Sequence, residues 1–204
     1  MRLVLASKSR DRKKCFDLAR IPVEVIPSDF DEESVPIQEP LKLVEILALE
    51  KAKVIVNLWN QTRAQQDGSA IVIAGDTMVA HKGKLIGKAK DKQHAFDIIK
   101  TLINQTHYLI TGVAIIQTDT MKQKSFVESS KVHFQNLSDE EIWEYLNRTN
   151  EYEGRAGAYS LQERASMFID YIEGSPTNVL GIPMAKLREE MKDFGVSLLS
   201  TNGQ

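Results

Sequence analysis

The sequence predicts an α/β fold, and three observations carry that prediction. Residues 3–6 and 70–74 form short apolar runs flanked by polar residues, as strands covered on both faces of a sheet do. Between and after them lie segments with apolar residues at helical spacing, clearest over residues 41–59. The 204-residue chain is 42% hydrophobic and 26% charged, ordinary values for a folded globular protein, and no run of about 18 apolar residues marks a membrane span.

The elements follow in order. Residues 3–6 read as a first strand, since the apolar stretch is too short for the core of a secretion signal. The Ser7-Lys8-Ser9 step can cap a helix running to about Arg20, which Ile21-Pro22 ends. A second strand spans residues 23–26, and an acidic, proline-bracketed loop continues from Ser28 to Pro40. The helix over 41–59 places Val44, Leu47, Ile55 and Leu58 on one apolar face, and Lys51 shares it. A polar turn around Gly68 precedes the strand that starts at Ala70 and ends on Gly75-Asp76-Thr77. A hairpin at Lys82-Gly83-Lys84 and a helix over 91–102 come next.

Residues 107–118 and 126–134 read as longer strands, and Ser138-Asp139-Glu140-Glu141 has the form of a capping box opening a helix to about Leu146. A glycine-bearing segment around Gly154 and Gly157, a strand near 167–172 and a closing helix over 183–194 complete the chain. No repeat or low-complexity linker divides it, so the reading is one domain over residues 1–204.

Charge and cysteine content exclude several function classes. With 26 basic and 28 acidic residues the net charge is −2, too balanced for sequence-independent attraction to a nucleic-acid backbone. No nucleic-acid or membrane partner is expected. The single cysteine, Cys15, rules out an internal disulfide and a cysteine-rich zinc site, and it fits a reducing, cytoplasmic compartment. Its neighbours Phe16, Leu18 and Ala19 make it a buried small hydrophobe. The four histidines show no metal-ligand spacing.

Five charged residues sit awkwardly for purely structural roles. Asp76 either opens a turn after Gly75 or stands at the mouth of a buried strand, where ligands collect in α/β sheets. Arg12 lies on the inward side of the first helix near its N-terminus, where a cation opposes the macrodipole unless an anion is bound. The competing reading is a stem that snorkels to solvent. Lys51 either reaches past the rim of its apolar stripe or meets a carboxylate or phosphate in a cleft. Glu32 belongs to an acidic run that could be solvated surface, yet with Asp76 it would supply the two oxygen ligands that Mg²⁺ commonly takes from protein. Lys88 follows a hairpin, where lysines often discourage edge pairing.

Together these segments resemble the Maf family of nucleoside triphosphate pyrophosphatases. Leu5-Ala6-Ser7-Lys8-Ser9 is similar to the family's opening motif, Leu47-Ala48-Leu49-Glu50-Lys51-Ala52 to its Leu-Ala-x-x-Lys-Ala, and Gly75-Asp76-Thr77 to its (Ala/Gly)-Asp-Thr. Gly87-Lys88, the stretch from Ala156 to Gln162 and the stretch from Asn178 to Pro183 match further motifs in the family's order. The resemblance implies an elongated Maf/ITPase-like α/β fold, with a curved mixed sheet flanked by helices and two lobes around a central cleft, often as a homodimer. It implies hydrolysis of the α-β phosphoanhydride of a nucleoside triphosphate to a monophosphate and pyrophosphate, with Mg²⁺ or Mn²⁺ as cofactor. Asp76 is then the catalytic base, Glu32 and Asp76 hold the metal, and Lys51 joins them in catalysis. Ser9, Arg12, Thr77, Lys88 and Gln162 are expected at the substrate. Phosphoryl transfer rests on positioning and electrostatics, so the lack of a Cys or Ser nucleophile is no obstacle. A nucleotide-binding regulatory protein linked to septum formation is the second reading.

The chain departs from the family pattern at defined places. Arg10 and Asp11 replace Pro and the first Arg of Ser-Pro-Arg-Arg, Ala89 replaces the proline after Lys88, Ile103-Asn104 replace Ser-Gly, and Glu163 replaces the glycine after Gln162. Asp11 either pairs with Arg10 or Lys14 or repels a triphosphate. Asp76-Thr77 and the segment from Tyr159 to Gln162 look closer to the dTTP and UTP branch than to the 7-methyl-GTP branch.

Overall fold

The computed structural model describes residues 1–36 and 39–200. Its centre is a mixed sheet built on β1 (Arg2–Leu5), β2 (Glu24–Val25) and β3 (Ala70–His81), in which β1 pairs parallel with both others. The antiparallel part adds β4 (Lys84–Ile86), β5 (Thr106–Gln117), β6 (Gln123–Phe134) and β7 (Ile169–Glu173), in the order β2-β1-β3-β5-β6-β7 with β4 also on β3. Helices α1 (Arg10–Leu18), α2 (Pro40–Thr62) and α3 (Ala64–Asp67) lie in the first half of the chain. Helices α4 (Lys92–Leu102), α5 (Asp139–Arg148), α6 (Pro176–Val179) and α7 (Met184–Met191) follow. The expected α/β class with a mixed sheet flanked by helices is the observed one, and none of the described helices is long and apolar enough to cross a membrane.

Alternation along the strands sorts the core. Val4, Ala6, Val72, Ala74, Ala114 and Ile116 face α2, where Ala48, Ala52, Ile55, Val56 and Trp59 cover them. Their neighbours Leu3, Leu5, Ile71, Ile73, Val113 and Ile115 face the opposite way, against Cys15 and Phe16 of α1 and Leu187 and Met191 of α7. A third cluster gathers the far ends of β3, β5 and β6, through Val79, Leu109, Val132 and Phe134, with α4 and α5. Residues 75–78 of β3 lie between the near clusters and the far one.

Helix α2 approaches β5 closely because Gly112 carries no side chain. A Cβ at Gly112 would stand 2.7 Å from the Glu45 amide nitrogen and closer still to the Val44 carbonyl. Gly112 is also the register partner of Asp76. The depth of α2 on the sheet is therefore set directly opposite Asp76.

Three local expectations need correction. The strand read as ending on Gly75-Asp76-Thr77 continues to His81, because β5 pairs with it from Ile71↔Gln117 to Ala80↔Tyr108. Asp76 thus opens no turn; it stands in mid-strand, beyond the last β1 partner, Leu5↔Ile73. Leu58 is 43% exposed, since the fully buried Trp59 takes the inward position on α2. The closing helix stops at Met191 and finishes as a 3₁₀ turn, Lys192–Phe194. In the acidic loop, Glu32–Ser34 forms a 3₁₀ turn capped by Asp31, while Ile37 and Gln38 lie outside the described residues. Cys15 is buried as expected, and burial pushes its thiol up to about 11.

Candidate active site

One cavity of about 410 Å³ opens where β3 runs past the end of β1, a size suited to a small-molecule ligand. Ser9, Arg12, Glu32, Lys51, Asp76, Thr77 and Lys88 all line it. The structure thus brings together seven of the eight residues singled out from sequence.

Lys51 makes the central contacts. From the middle of α2 its ammonium donates to Asp76 Oδ1 at 2.6 Å and lies 2.7 Å from Glu32 Oε1. Its side chain is 12% exposed, so the lysine in the apolar stripe meets carboxylates in a cleft and does not reach past the rim. Asp76 is itself 7% exposed, and a carboxylate that far from water needs such a countercharge. Burial alone would raise the Glu32 carboxyl. The hydrogen bond and charge of Lys51, helped by Lys88 and Arg12, outweigh burial and hold it below its ordinary value.

Arg12 is locked rather than snorkelling. Its Nε donates to the Gly181 carbonyl at 2.7 Å, Nη1 to Ser7 Oγ at 3.0 Å and Nη2 to Thr77 Oγ1 at 2.9 Å. Three of its five N–H groups are thereby partnered within the protein, in a geometry that aims the guanidinium along the cavity wall. Burial lowers its pKa, and the nearby charges of Asp76, Glu32 and Asp11 oppose that effect. The Gly181 carbonyl is within reach because this residue adopts φ +90°, and a Cβ there would stand 3.0 Å from Arg12 Nε. Ser9 caps α1, its hydroxyl accepting from the Arg12 amide at 3.3 Å.

Thr77 connects Arg12 to the interior. Thr111 Oγ1 donates to the Asn178 carbonyl at 3.1 Å, so its 3.0 Å contact with Thr77 Oγ1 has Thr77 as donor and leaves the Thr77 lone pairs to Arg12. The Asn178 side-chain Nδ2 in turn donates to the Leu109 carbonyl and to Ser130 Oγ, each at 3.0 Å. Thr111 and Ser130 escaped the sequence reading, where Asn178 entered only within a motif, because pairing at long range places them: Thr111 opposite Thr77 and Ser130 opposite Leu109.

Lys88 lines the cavity from just beyond β4, and its backbone forms an isolated antiparallel bridge with Ala156. Gln162 is the exception among the expected site residues. It is not among the cavity-lining residues, and its Oε1 is buried without a hydrogen-bond partner. Asp11 pairs with neither Arg10 nor Lys14. It takes a bidentate contact from Arg155, Nε to Oδ2 at 2.6 Å and Nη2 to Oδ1 at 2.8 Å, and the same Nη2 reaches Glu163 Oε1 at 3.0 Å. Arg155 lines the cavity and was missed from sequence, its signal being only a basic residue between two glycines.

A mixed sheet with helices on both faces and a cleft lined by carboxylates and cations places the molecule among α/β proteins with a polar small-molecule site. The chain belongs to the Maf family: the family model described as Maf-like protein matches residues 2–194. A dTTP/UTP pyrophosphatase of Caldanaerobacter subterraneus is 38% identical over 96% of this chain and 91% of its own length. One from Carboxydothermus hydrogenoformans is 35% identical over 96% of this chain and all of its own, and one from Alkaliphilus metalliredigens is 38% identical over 97% and 99%. Among solved structures, the Staphylococcus aureus Ham1 protein aligns over 67% of this chain and 73% of its own at 15% identity, with a TM-score of 0.38.

Proposed function

We propose that this protein hydrolyses nucleoside triphosphates between the α and β phosphates, releasing a monophosphate and pyrophosphate, with dTTP and UTP as preferred substrates. The observation that carries the reading is Asp76, nearly buried in mid-strand and held at 2.6 Å by Lys51, in a cavity that Arg12 and Lys88 also line. Curated relatives named for dTTP and UTP hydrolysis, aligned over nearly the whole chain, support the substrate class and favour hydrolysis over a purely regulatory role.

The residues divide the work by charge. Asp76 orients the attacking water and accepts its proton, and Lys51, 2.6 Å from Asp76 Oδ1, holds that carboxylate in place. Arg12, Lys88 and the N-terminal turn of α1 around Ser9 hold the triphosphate, so that charge developing on the leaving pyrophosphate meets cations already in place. Thr77 keeps Arg12 at its station. Expulsion of water by the nucleotide strengthens each of these interactions.

The donor set fits a hard divalent cation. Glu32 and Asp76 offer two carboxylates in the same cavity, each with one oxygen within 2.7 Å of the Lys51 ammonium, and no cluster of three or more His, Cys, Asp or Glu ligands exists among the described residues. Mg²⁺ or Mn²⁺ held by these two carboxylates would complete its shell with phosphate oxygens and water. Such a cation supplies charge neutralisation on the phosphates.

A panel of ribo- and deoxyribonucleoside triphosphates, incubated with Mg²⁺ or Mn²⁺ and resolved for products, tests the proposal. Monophosphate and pyrophosphate in equal amounts, fastest from dTTP and UTP, are expected. Orthophosphate as the sole phosphate product, or no turnover of any triphosphate by folded protein, contradicts it.

A further inference from the structure

Asp11 and Glu163, which stand outside the family motifs that the sequence resembles, both contact a single guanidinium. Arg155 donates Nε and Nη2 to Asp11, Nη2 also to Glu163, and Nη1 to the Glu151 carbonyl at 2.9 Å. Four of its five N–H groups are committed inside the protein. The side chain is 13% exposed and Asp11 15%, so the pair is largely withdrawn from solvent screening. Arg155 therefore acts as a strut here, although it lines the nucleotide cavity.

The strut spans two regions far apart in sequence. Asp11 is in the first turn of α1, next to Arg12. Arg155 belongs to the segment 149–163 that joins α5 to the 3₁₀ turn Arg164–Met167. The base of that segment is fixed by the buried Glu151, which accepts from the Tyr145 hydroxyl at 2.9 Å and from the Arg164 amide at 2.7 Å. Its middle touches the body at Arg155 and, one residue on, at the bridge between Ala156 and Lys88. One short stretch of chain thus ties the helix that carries Arg12 to the strand end that carries Lys88.

We infer that Asp11, Arg155 and Glu163 form an ionic clasp, a set of positioning residues that closes segment 149–163 over the cavity and fixes the spacing of Arg12 and Lys88 for a nucleoside triphosphate. The inference rests on the proposed function for the ligand, and on the ion-pair geometry for the clasp. Asp11 strengthens triphosphate binding through Arg155 despite adding a negative charge to the cavity. The opposite sign follows if Asp11 acts only by repelling phosphate.

Charge reversal tests the clasp. Affinity for α,β-imido-UTP with Mg²⁺, and amide exchange across residues 149–163, are measured for Asp11→Arg, Arg155→Asp and the double variant, with the milder Asp11→Asn beside them. Each single reversal weakens affinity about tenfold, the coupling typical of contacting charged residues, and speeds exchange in the segment. The double variant, which restores opposite charges across the same gap, recovers affinity to within about threefold of wild type and slows exchange again. Asp11→Asn falls between wild type and the reversals. Tighter binding by Asp11→Arg or Asp11→Asn, unchanged exchange in the single variants, or a double variant no better than the worse single overturns the clasp. The exchange readout needs neither turnover nor nucleotide, so a wild-type protein that hydrolyses nothing would refute the proposed function while the clasp is still judged.

Discussion

Gly112→Ala is the substitution whose outcome the packing predicts most firmly. At an ordinary strand position the change would stabilise by about 0.5 to 1 kcal/mol, because alanine gives up less conformational freedom on folding than glycine. Here the new methyl would meet the backbone of α2, 2.7 Å from the Glu45 amide nitrogen and nearer to the Val44 carbonyl. Neither atom is the flexible end of a side chain. Reaching an ordinary contact near 3.4 Å requires α2 to rise from the sheet by about 1 Å, at the upper end of the roughly 1 to 3 kcal/mol that overpacking costs. For a chain of this size about 3 kcal/mol lowers Tm by roughly 6 to 12 °C. The same displacement moves Lys51, two turns along α2, away from Asp76, which is paired with Gly112 across the strands. Thermal unfolding together with steady-state kinetics reads both effects, with a lower Tm and a raised KM expected. A variant with unchanged or higher Tm and wild-type kinetics would refute the argument that this close approach sets the site.

Further outcomes follow from individual groups. Lys51→Met leaves Asp76 and Glu32 without their shared countercharge, so KM for UTP rises about tenfold or more, and the Glu32 carboxyl, which Lys51 holds below its ordinary value, rises and carries the acid limb of the kcat/KM profile to higher pH; kinetics identical to wild type would show that the ammonium serves packing alone. His107 is fully buried, its Nε2 2.9 Å from the Tyr159 hydroxyl, and burial followed by the nearby His81 and His133 lowers its pKa to about 3. The unfolded chain takes up this proton below about pH 6.5 whereas the folded one does not until about pH 3, so stability falls on acidification through that window, by about 2 kcal/mol between pH 6.5 and 5. Urea unfolding at pH 7, 6 and 5 should show that loss in the wild type and its absence in His107→Gln; parallel slopes for the two proteins would remove His107 as the cause.

Much of this architecture is legible in the sequence, because apolar alternation and capping are local signals. Ser9 and Ser138 cap α1 and α5 where the residue types indicate, and the Lys82-Gly83 turn joins β3 to β4. Lys51 is conspicuous for the same reason, as a charge in an apolar stripe. What local patterns miss is set by pairing at long range. Gly75-Asp76 has the composition of a turn, and only the continuous register with β5 carries the strand through it to His81. Leu58 and Trp59 compete for one face of α2, and the sheet beneath selects the larger side chain. Arg155 looks like a surface residue because its partner Asp11 lies 144 positions away, and the resemblance to a family marks Asp11 as a departure without indicating what neutralises it. Gln162 matches a family motif in sequence, yet it lies outside the cavity lining.

The account rests on Asp76 as the group that takes the proton from water, and Asp76→Asn tests it most directly. The amide keeps the size of the side chain and removes its basicity. Turnover of UTP at saturation should fall at least about a hundredfold, the low end of what a general base contributes, while α,β-imido-UTP still binds within a few-fold of wild type. A folded Asp76→Asn protein that retains wild-type kcat would contradict the assignment.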